Sequence, residues 1–216
     1  MPVKHNEREY RCIHAGALEL RTGDNDGKFV EGYATTFNEE YELYGWEGYK
    51  VVESIDARAF DDTDMSDVIM QYDHEGRVFA RTSNGTLTLS ADDHGLRIRA
   101  DLGGTELGRQ LYEEIRGGYT DKMSFGFVVA KDEITEERDE ENNMTTIHRK
   151  ITKIKKLYDV SAVSLPANGA TEIYSARSFA EGVIEKARME YAAIEERKRK
   201  IKKIKILMEA NTYEND

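Results

Sequence analysis

The chain has 216 residues, of which 39% are hydrophobic and 34% charged, and its formal net charge is −11. The length suits one domain of moderate size with an appendage, and the chain is too apolar to be wholly disordered. No run of 18 apolar residues and no apolar leader is present, so we exclude a membrane-spanning helix and a secretory signal. The acidic balance argues against nucleic-acid binding because phosphate would be repelled. A single cysteine, Cys12, excludes an internal disulfide and a cysteine-based zinc site. We expect a soluble cytoplasmic protein that needs no cofactor or metal.

Short strands separated by turns are predicted for the first hundred residues. Alternating apolar and polar residues, or compact apolar runs, mark each strand. Gly32 lies inside an aromatic and β-branched run and indicates a bulge or a close backbone approach there. The predicted strands are 17–21, 29–37, 51–55, 68–72, 78–80, 86–89 and 96–102, with an acidic, aromatic surface loop at 38–49.

One helix is predicted after these strands. Thr105 is a suitable N-cap, and Leu107, Leu111 and Ile115 form an apolar stripe at helical spacing. Gly117 and the glycine after it end the helix.

The rest of the chain returns to strands and then changes character. Strands are predicted at 123–130, 145–154 and 158–165, with a charged solvated loop or hairpin tip at 131–143. Residues 178–216 carry an apolar stripe among many charges and predict a long amphipathic helix of roughly 30 residues. The predicted fold class is α+β, mainly β: a closed or nearly closed β-barrel with surrounding helices, plus this C-terminal helix.

Three residues at strand edges could carry chemistry. His74 follows a buried strand, Ser124 lies on a short apolar strand, and Asp159 opens another. Gly126 allows another group to approach closely. A serine hydroxyl needs a base to accept its proton, and the base needs a third group to orient it. From the residues alone, a surface-turn histidine and a buried structural serine fit as well. Asp73, His74 and Glu75 alternate between strand faces, so they do not form a metal site.

Several segments, in order along the chain, resemble the prohead maturation proteases of tailed bacteriophages, a family related to the herpesvirus assemblins. The resemblance covers about residues 29–175. Arg58 stands where the family usually has glycine, and Asp159 replaces its usual glutamate. The segments are 31–34, 53–60, 72–77, 93–96, 123–127 and 159–168, which are similar to the family's GYA, E-x-I-x-x-GAF, NHD…GR, D-x-x-GL, SfGF and EVSLV…PAN patterns.

The resemblance implies roles for these residues. Ser124 would be the nucleophile, His74 the general base and then the acid, and Asp159 the group that orients the imidazole. The oxyanion would be bound by backbone N–H groups near Ala167, Asn168 and Gly169. The implied activity is that of a serine endopeptidase that cleaves scaffold and capsid-protein leader segments, and itself, through an acyl-enzyme. It would act inside the immature capsid in the host cytoplasm, and the assemblin likeness suggests a homodimer.

This interpretation divides the chain into an N-terminal extension with an edge strand (1–28), a serine protease domain (29–177) and a charged C-terminal helix (178–216). The helix would dock on scaffold or be removed by self-cleavage. Two alternatives stay open. One is a non-catalytic capsid scaffold or assembly protein on the same barrel, and the other is an unrelated β-barrel binding module with an acidic face for a basic partner.

Overall fold

The computed structural model describes residues 7–13, 18–22, 27–46, 48–163, 189 and 196–203. Contacts within the chain divide it into two units, and one of them, Lys4–Arg177, holds all the strands. Among the described residues, no helix combines the length and apolar character needed to cross a membrane. The elements are β1 (Glu9–Ile13), β2 (Glu19–Thr22), β3 (Lys28–Thr36), β4 (Tyr41–Trp46), β5 (Tyr49–Ile55), β6 (Ile69–Tyr72), β7 (Glu75–Arg81), β8 (Leu87–Ala91), β9 (Gly95–Asp101), α1 (Glu106–Arg116), β10 (Lys122–Asp139) and β11 (Met144–Val163).

The larger sheet is mixed and has seven strands in the order β1-β10-β11-β5-β4, with β6 and β7 attached beside β11. The 20-residue β11 organises it. One edge of β11 pairs antiparallel with β10. The other edge pairs parallel with β5 along its first part and with β6 along its last part. The turn after β6 therefore lies beside the C-terminal end of β11.

The smaller sheet is antiparallel, in the order β2-β3-β9-β8. Its apolar side chains belong to the same core as those of the larger sheet and of α1, so one core supports both sheets. Representative members are Val30 and Ile98 from the smaller sheet, Phe125, Phe127 and Val160 from the larger sheet, and Leu111 and Ile115 from α1.

The predicted barrel is wrong, because the strands form two separate sheets that do not close on each other. In the described part of the chain, β1, β4 and β7 are edge strands of the larger sheet, and β2 and β8 are those of the smaller one. Closure would require hydrogen-bonded pairing between such edges. The length of β11 instead lets it pair with two partners in succession along one edge.

Some predicted elements have different bounds from those expected. The 38–49 segment is not wholly a loop, since β4 occupies half of it and pairs with β5. Charged residues 131–139 continue β10, and only the next four residues form the tip of its hairpin with β11. The two strands predicted at 145–154 and 158–165 are the single strand β11. The predicted bulge in β3 occurs between Tyr33 and Thr35.

Helix α1 matches its prediction closely. The Thr105 hydroxyl accepts a hydrogen bond from the Gly108 N–H at 2.9 Å and caps the helix. Leu111 and Ile115 are buried, whereas Leu107 is 37% exposed. The long C-terminal helix is not supported. Its described residues, Met189 and 196–203, are helical, and the rest of 178–216 lies outside the described residues.

A buried ionic cluster connects β1 to the larger sheet. We call Glu9, Arg11, Glu53, Asp132 and Arg149 the charged cluster. The Arg149 guanidinium is fully buried and donates to Glu53 at 2.7 Å, Glu9 at 2.8 Å and Asp132 at 2.7 Å. Arg11 donates to Glu53 at 2.6 Å and to Glu9 at 2.5 Å. Every charge in the cluster therefore has an opposite partner, as burial requires.

Candidate active site

Ser124 lies near the start of β10 and is fully buried. It is paired across the sheet with Ser161 of β11 on one side and with Cys12 of β1 on the other. Its position is therefore fixed by strands on both sides. Met123, Phe125 and Phe127 on the same strand are buried, so this part of β10 lies in the hydrophobic core.

His74 occupies the two-residue turn that joins β6 to β7. Asp73 and His74 both have left-handed backbone, with φ of 48° and 59°, while Tyr72 and Glu75 pair across the turn. This is the backbone of a tight hairpin turn, in which non-glycine residues are uncommon. The Asp73 N–H donates to the Ala162 carbonyl of β11 at 3.0 Å and anchors the turn to the sheet. The turn thus holds the imidazole beside β11.

Asp159 is fully buried on β11 and is paired with Gly126 of β10. The missing side chain at Gly126 makes room for the carboxylate, since a Cβ there would lie 2.4 Å from Asp159 Oδ2. The close approach expected at this glycine is therefore made by Asp159 itself.

The three predicted residues meet in one hydrogen-bonded chain. His74 Nε2 lies 2.5 Å from Ser124 Oγ, and His74 Nδ1 lies 2.5 Å from Asp159 Oδ1. A carboxylate can only accept, so Nδ1–H donates to Asp159 and leaves Nε2 to accept from the serine hydroxyl. The residues lie on β10, on the β6–β7 turn and on β11, and the His74 side chain is only 8% exposed. The arrangement can remove a proton from the serine and hold it on the imidazole.

The environment favours an ionised Asp159. Burial by itself raises the pKa of this carboxyl, but the hydrogen bond and electrostatic interaction with His74, together with the positive charge of Arg8, outweigh it and lower the pKa. Ser161 Oγ adds a further hydrogen bond to Oδ1 at 3.0 Å. A negative carboxylate next to the imidazole stabilises its protonated form, which a general base must pass through.

Three neighbours of the site were missed from the sequence. Arg8 donates to Asp159 Oδ2, and the Tyr10 ring contacts the His74 ring edge-on at 4.5 Å between centroids. Ser161 had a usable signal, since it lies two residues after Asp159 and therefore on the same strand face. The sequence gives no such signal for Arg8 or Tyr10. Arg8, for example, is 151 residues from Asp159 in sequence.

Other predicted positions are not part of this chain of hydrogen bonds. Ala167, Asn168 and Gly169, predicted to bind the oxyanion, lie outside the described residues. His94 lies in the β8–β9 turn against the Tyr33 ring, and His148 contacts Glu40. Within the described ranges, no group of three or more histidine, cysteine, aspartate or glutamate residues could hold a metal ion.

A cleft of about 510 Å³ lies between α1 and the strand residues Tyr72 and Phe79. Its walls include Tyr72, two residues before His74, and Thr120, four residues before Ser124. Phe79 and the outward-facing Leu107 of α1 add apolar surface, as does Tyr119, which is 78% exposed. Exposed apolar walls beside buried polar groups are typical of ligand-binding clefts.

Comparisons with known proteins identify the family. The family model described as caudovirus prohead serine protease matches residues 16–185. A solved structure of the bacteriophage T4 capsid assembly protease, gp21, is similar with a TM-score of 0.43 and 13% identity, over 74% of this chain and 100% of that chain. No curated protein matches. Because the family match spans well over half of the sequence, the chain belongs to the caudovirus prohead serine proteases and is a serine peptidase.

Proposed function

We propose that this serine peptidase is an endopeptidase in which Ser124 is the nucleophile, His74 the general base and acid, and Asp159 the group that orients the imidazole. The observation that carries the proposal is the pair of 2.5 Å contacts that join Ser124 Oγ to His74 Nε2 and His74 Nδ1 to Asp159 Oδ1. Three elements distant in sequence converge to make these contacts.

The proposed reaction follows from these contacts. Ser124 Oγ attacks the scissile carbonyl carbon while His74 Nε2 takes the hydroxyl proton. The tetrahedral intermediate then expels the amine, which receives that proton from His74, and leaves an acyl-enzyme. Water, deprotonated by the same imidazole, hydrolyses the ester and restores Ser124. Asp159 stays ionised throughout and stabilises the imidazolium. Backbone N–H groups near Ala167, Asn168 and Gly169 are proposed to bind the oxyanion.

The proposed substrates are peptide segments of capsid and scaffold proteins, and the chain itself, inside the immature capsid in the host cell. Family membership supports this substrate class. We further propose that the substrate chain lies in the cleft beside α1, because its walls include Tyr72, two residues before His74, and Thr120, four residues before Ser124. A homodimer is compatible with this arrangement, and so is a single copy.

Segment 178–216 is proposed to attach the protease to scaffold during assembly. Its basic run, 197–200, and its apolar stripe suit a charged helical partner. If capsids assembled with a chain truncated at Ser178 still package the protease, this attachment is refuted.

The test of the activity is intact-mass spectrometry of the full-length chain after co-expression with the capsid and scaffold proteins of its own phage. We expect loss of mass from the protease and its partners with the wild type, and none with Ser124→Ala or His74→Ala. The matched controls are Ser90→Ala and His94→Ala, which change exposed residues of the smaller sheet and its turn. Processing by Ser124→Ala at the wild-type level would refute the mechanism. A folded wild type that never cleaves within assembled shells would instead favour the non-catalytic scaffold protein.

A further inference from the structure

Strand β1 presents different side chains to two parts of the protein. Glu9 and Arg11 enter the charged cluster and bind Arg149 and Glu53. Tyr10 is paired with Gly126, so its side chain is on the face that carries the triad. Arg8, two residues earlier, reaches Asp159 on that same face. The register of β1 is therefore held on one face by ion pairs, and on the other face β1 supplies Tyr10 to the site, and the residue before the strand supplies Arg8.

Arg8 is held in a defined orientation. Its guanidinium lies over the ring of Tyr158 at 4.6 Å and over the ring of Tyr10 at 5.1 Å. A planar cation between two aromatic faces is stabilised by cation–π attraction. From this position it donates to Oδ2 of Asp159.

The two oxygens of Asp159 have separate partners. Oδ1 accepts from His74 and from Ser161, and Oδ2 accepts from Arg8. Among the described residues, Arg8 is the only donor to Oδ2. Without that donor, a buried carboxylate oxygen loses its hydrogen bond, and rotation of the carboxylate would turn Oδ1 away from the imidazole.

We propose that Arg8 is a positioning residue of the active site, which keeps Oδ1 of Asp159 directed at His74 by holding Oδ2. The proposal rests on the proposed function, since it assigns Arg8 a part in the action of His74 and Ser124. Tyr10 supports it by packing against both Arg8 and the His74 ring. Arg8 and Tyr10 precede residues 16–185, which the family model matches. The segment predicted as an N-terminal extension therefore completes the site.

The exposed fraction of the Arg8 side chain distinguishes its positioning role from a general contribution to stability. The Arg8 side chain is 35% exposed, whereas Arg11 and Arg149, which attach β1 through the charged cluster, are 9% and 0% exposed. Loss of Arg8 should leave β1 in place, because its ladder with β10 and the charged cluster remain. The effect should therefore appear in the chemical step rather than in folding.

The experiment measures how fast a small fluorophosphonate labels Ser124 in the full-length chain. The variants are Arg8→Gln and Arg8→Lys, and the matched control is Arg97→Gln, which breaks an exposed arginine–carboxylate pair with Glu31 on the smaller sheet. The maximal labelling rate, kinact, and the probe affinity, KI, are determined separately. Thermal midpoints are recorded in parallel.

We expect Arg8→Gln to lower kinact by about 10- to 100-fold, as a misplaced catalytic group does, with KI and the thermal midpoint nearly unchanged. Arg8→Lys should recover a large part of that loss, and Arg97→Gln should label like the wild type. An unchanged kinact in Arg8→Gln would overturn the inference, and so would Arg8→Lys as slow as Arg8→Gln. Labelling of Ser124→Ala at the wild-type rate would refute the proposed function instead. Wild-type labelling that is lost in Ser124→Ala but kept in Arg8→Gln would overturn the inference alone.

Discussion

Replacing Gly126 by alanine adds a methyl group where the Asp159 carboxylate now lies. The new Cβ would be 2.4 Å from Asp159 Oδ2, 2.9 Å from Tyr10 Cε1 and 3.0 Å from Arg8 Nε. Ordinary van der Waals contact begins at 3.4 Å, so the carboxylate must move by about 1 Å. Gly126 does not have positive φ, so the backbone itself accepts alanine.

The size of the effect follows from that displacement. A movement of about 1 Å lengthens the 2.5 Å contact between Asp159 Oδ1 and His74 Nδ1 to the limit of a hydrogen bond. A misplacement of this size costs about 100-fold in rate. Crowding in a packed core costs about 1–3 kcal/mol in the free energy of unfolding. We therefore expect Gly126→Ala to fold, to unfold at a somewhat lower temperature, and to lose most of its activity.

The assay combines fluorophosphonate labelling of Ser124 with a urea unfolding curve on the same sample. The matched control is Gly32→Ala in β3, where the new Cβ would lie 3.3 Å from the flexible end of Leu18 and no closer than 3.8 Å to any other atom. This control should stay within about 1 kcal/mol of the wild type, as a tolerated change does, and should label normally. Gly126→Ala that labels within twofold of the wild type would refute the reasoning, because it would mean that Asp159 need not lie where the structure has it.

Further variants test the charged cluster, the cleft and the third triad member. Arg149→Met leaves buried carboxylates with one partner fewer and should lower the free energy of unfolding by about 3 kcal/mol, seen as a lower urea midpoint. Burial by itself raises the pKa of the Glu53 carboxyl, but neighbouring guanidinium groups outweigh it and lower that pKa from 4.5 to about 2. The ionised Glu53 carboxylate therefore contributes its full share of the free energy of unfolding above pH 4.5, and this share is lost as the pH falls towards 2. In the wild type the urea midpoint should fall over that pH range, and in Glu53→Gln it should depend less on pH. Leu107→Asp should raise KM for a peptide substrate with kcat little changed. The control Val78→Asp should not raise KM, because Val78 is also exposed (45%, against 37% for Leu107) but does not line the cleft, and equal effects of the two changes would contradict the substrate path. Asp159→Asn should reduce kcat by about 10⁴-fold, less than loss of the nucleophile, and a larger loss than Ser124→Ala would count against an orienting role.

Local sequence patterns predicted those elements whose own residues specify their structure. Thr105 and the apolar stripe after it define α1 without help from the rest of the chain, and Gly126 marks a close approach within its own strand. The β4 strand was missed because glycine, glutamate and aromatic residues favour loops as readily as strands, and only pairing with β5 makes this segment a strand. The separation of the strands into two sheets was missed for the same reason, since sheet closure depends on which distant edges pair.

The site shows the same limit. Ser124, His74 and Asp159 carry recognisable local contexts, and the structure brings their side chains together. Arg8 lies in a polar stretch with no pattern of its own, and its contact with Asp159 arises only because β1 pairs with β10. Residues that support a site from a distant strand leave no local signal, because their position is set by sheet pairing.

The hairpin of β10 and β11 has one further consequence. Among the described strands, none pairs with the outer edge of β10 beyond Phe127, whereas its other edge is paired with β11 as far as Asp139. Exposed strand edges promote association between copies. Five of the twelve residues from Val128 to Asp139 are acidic, including Glu133, Glu136 and Glu137, and two are basic, so the same edge of a second copy would be repelled. This excess of acidic side chains opposes pairing between the β10 edges of two copies.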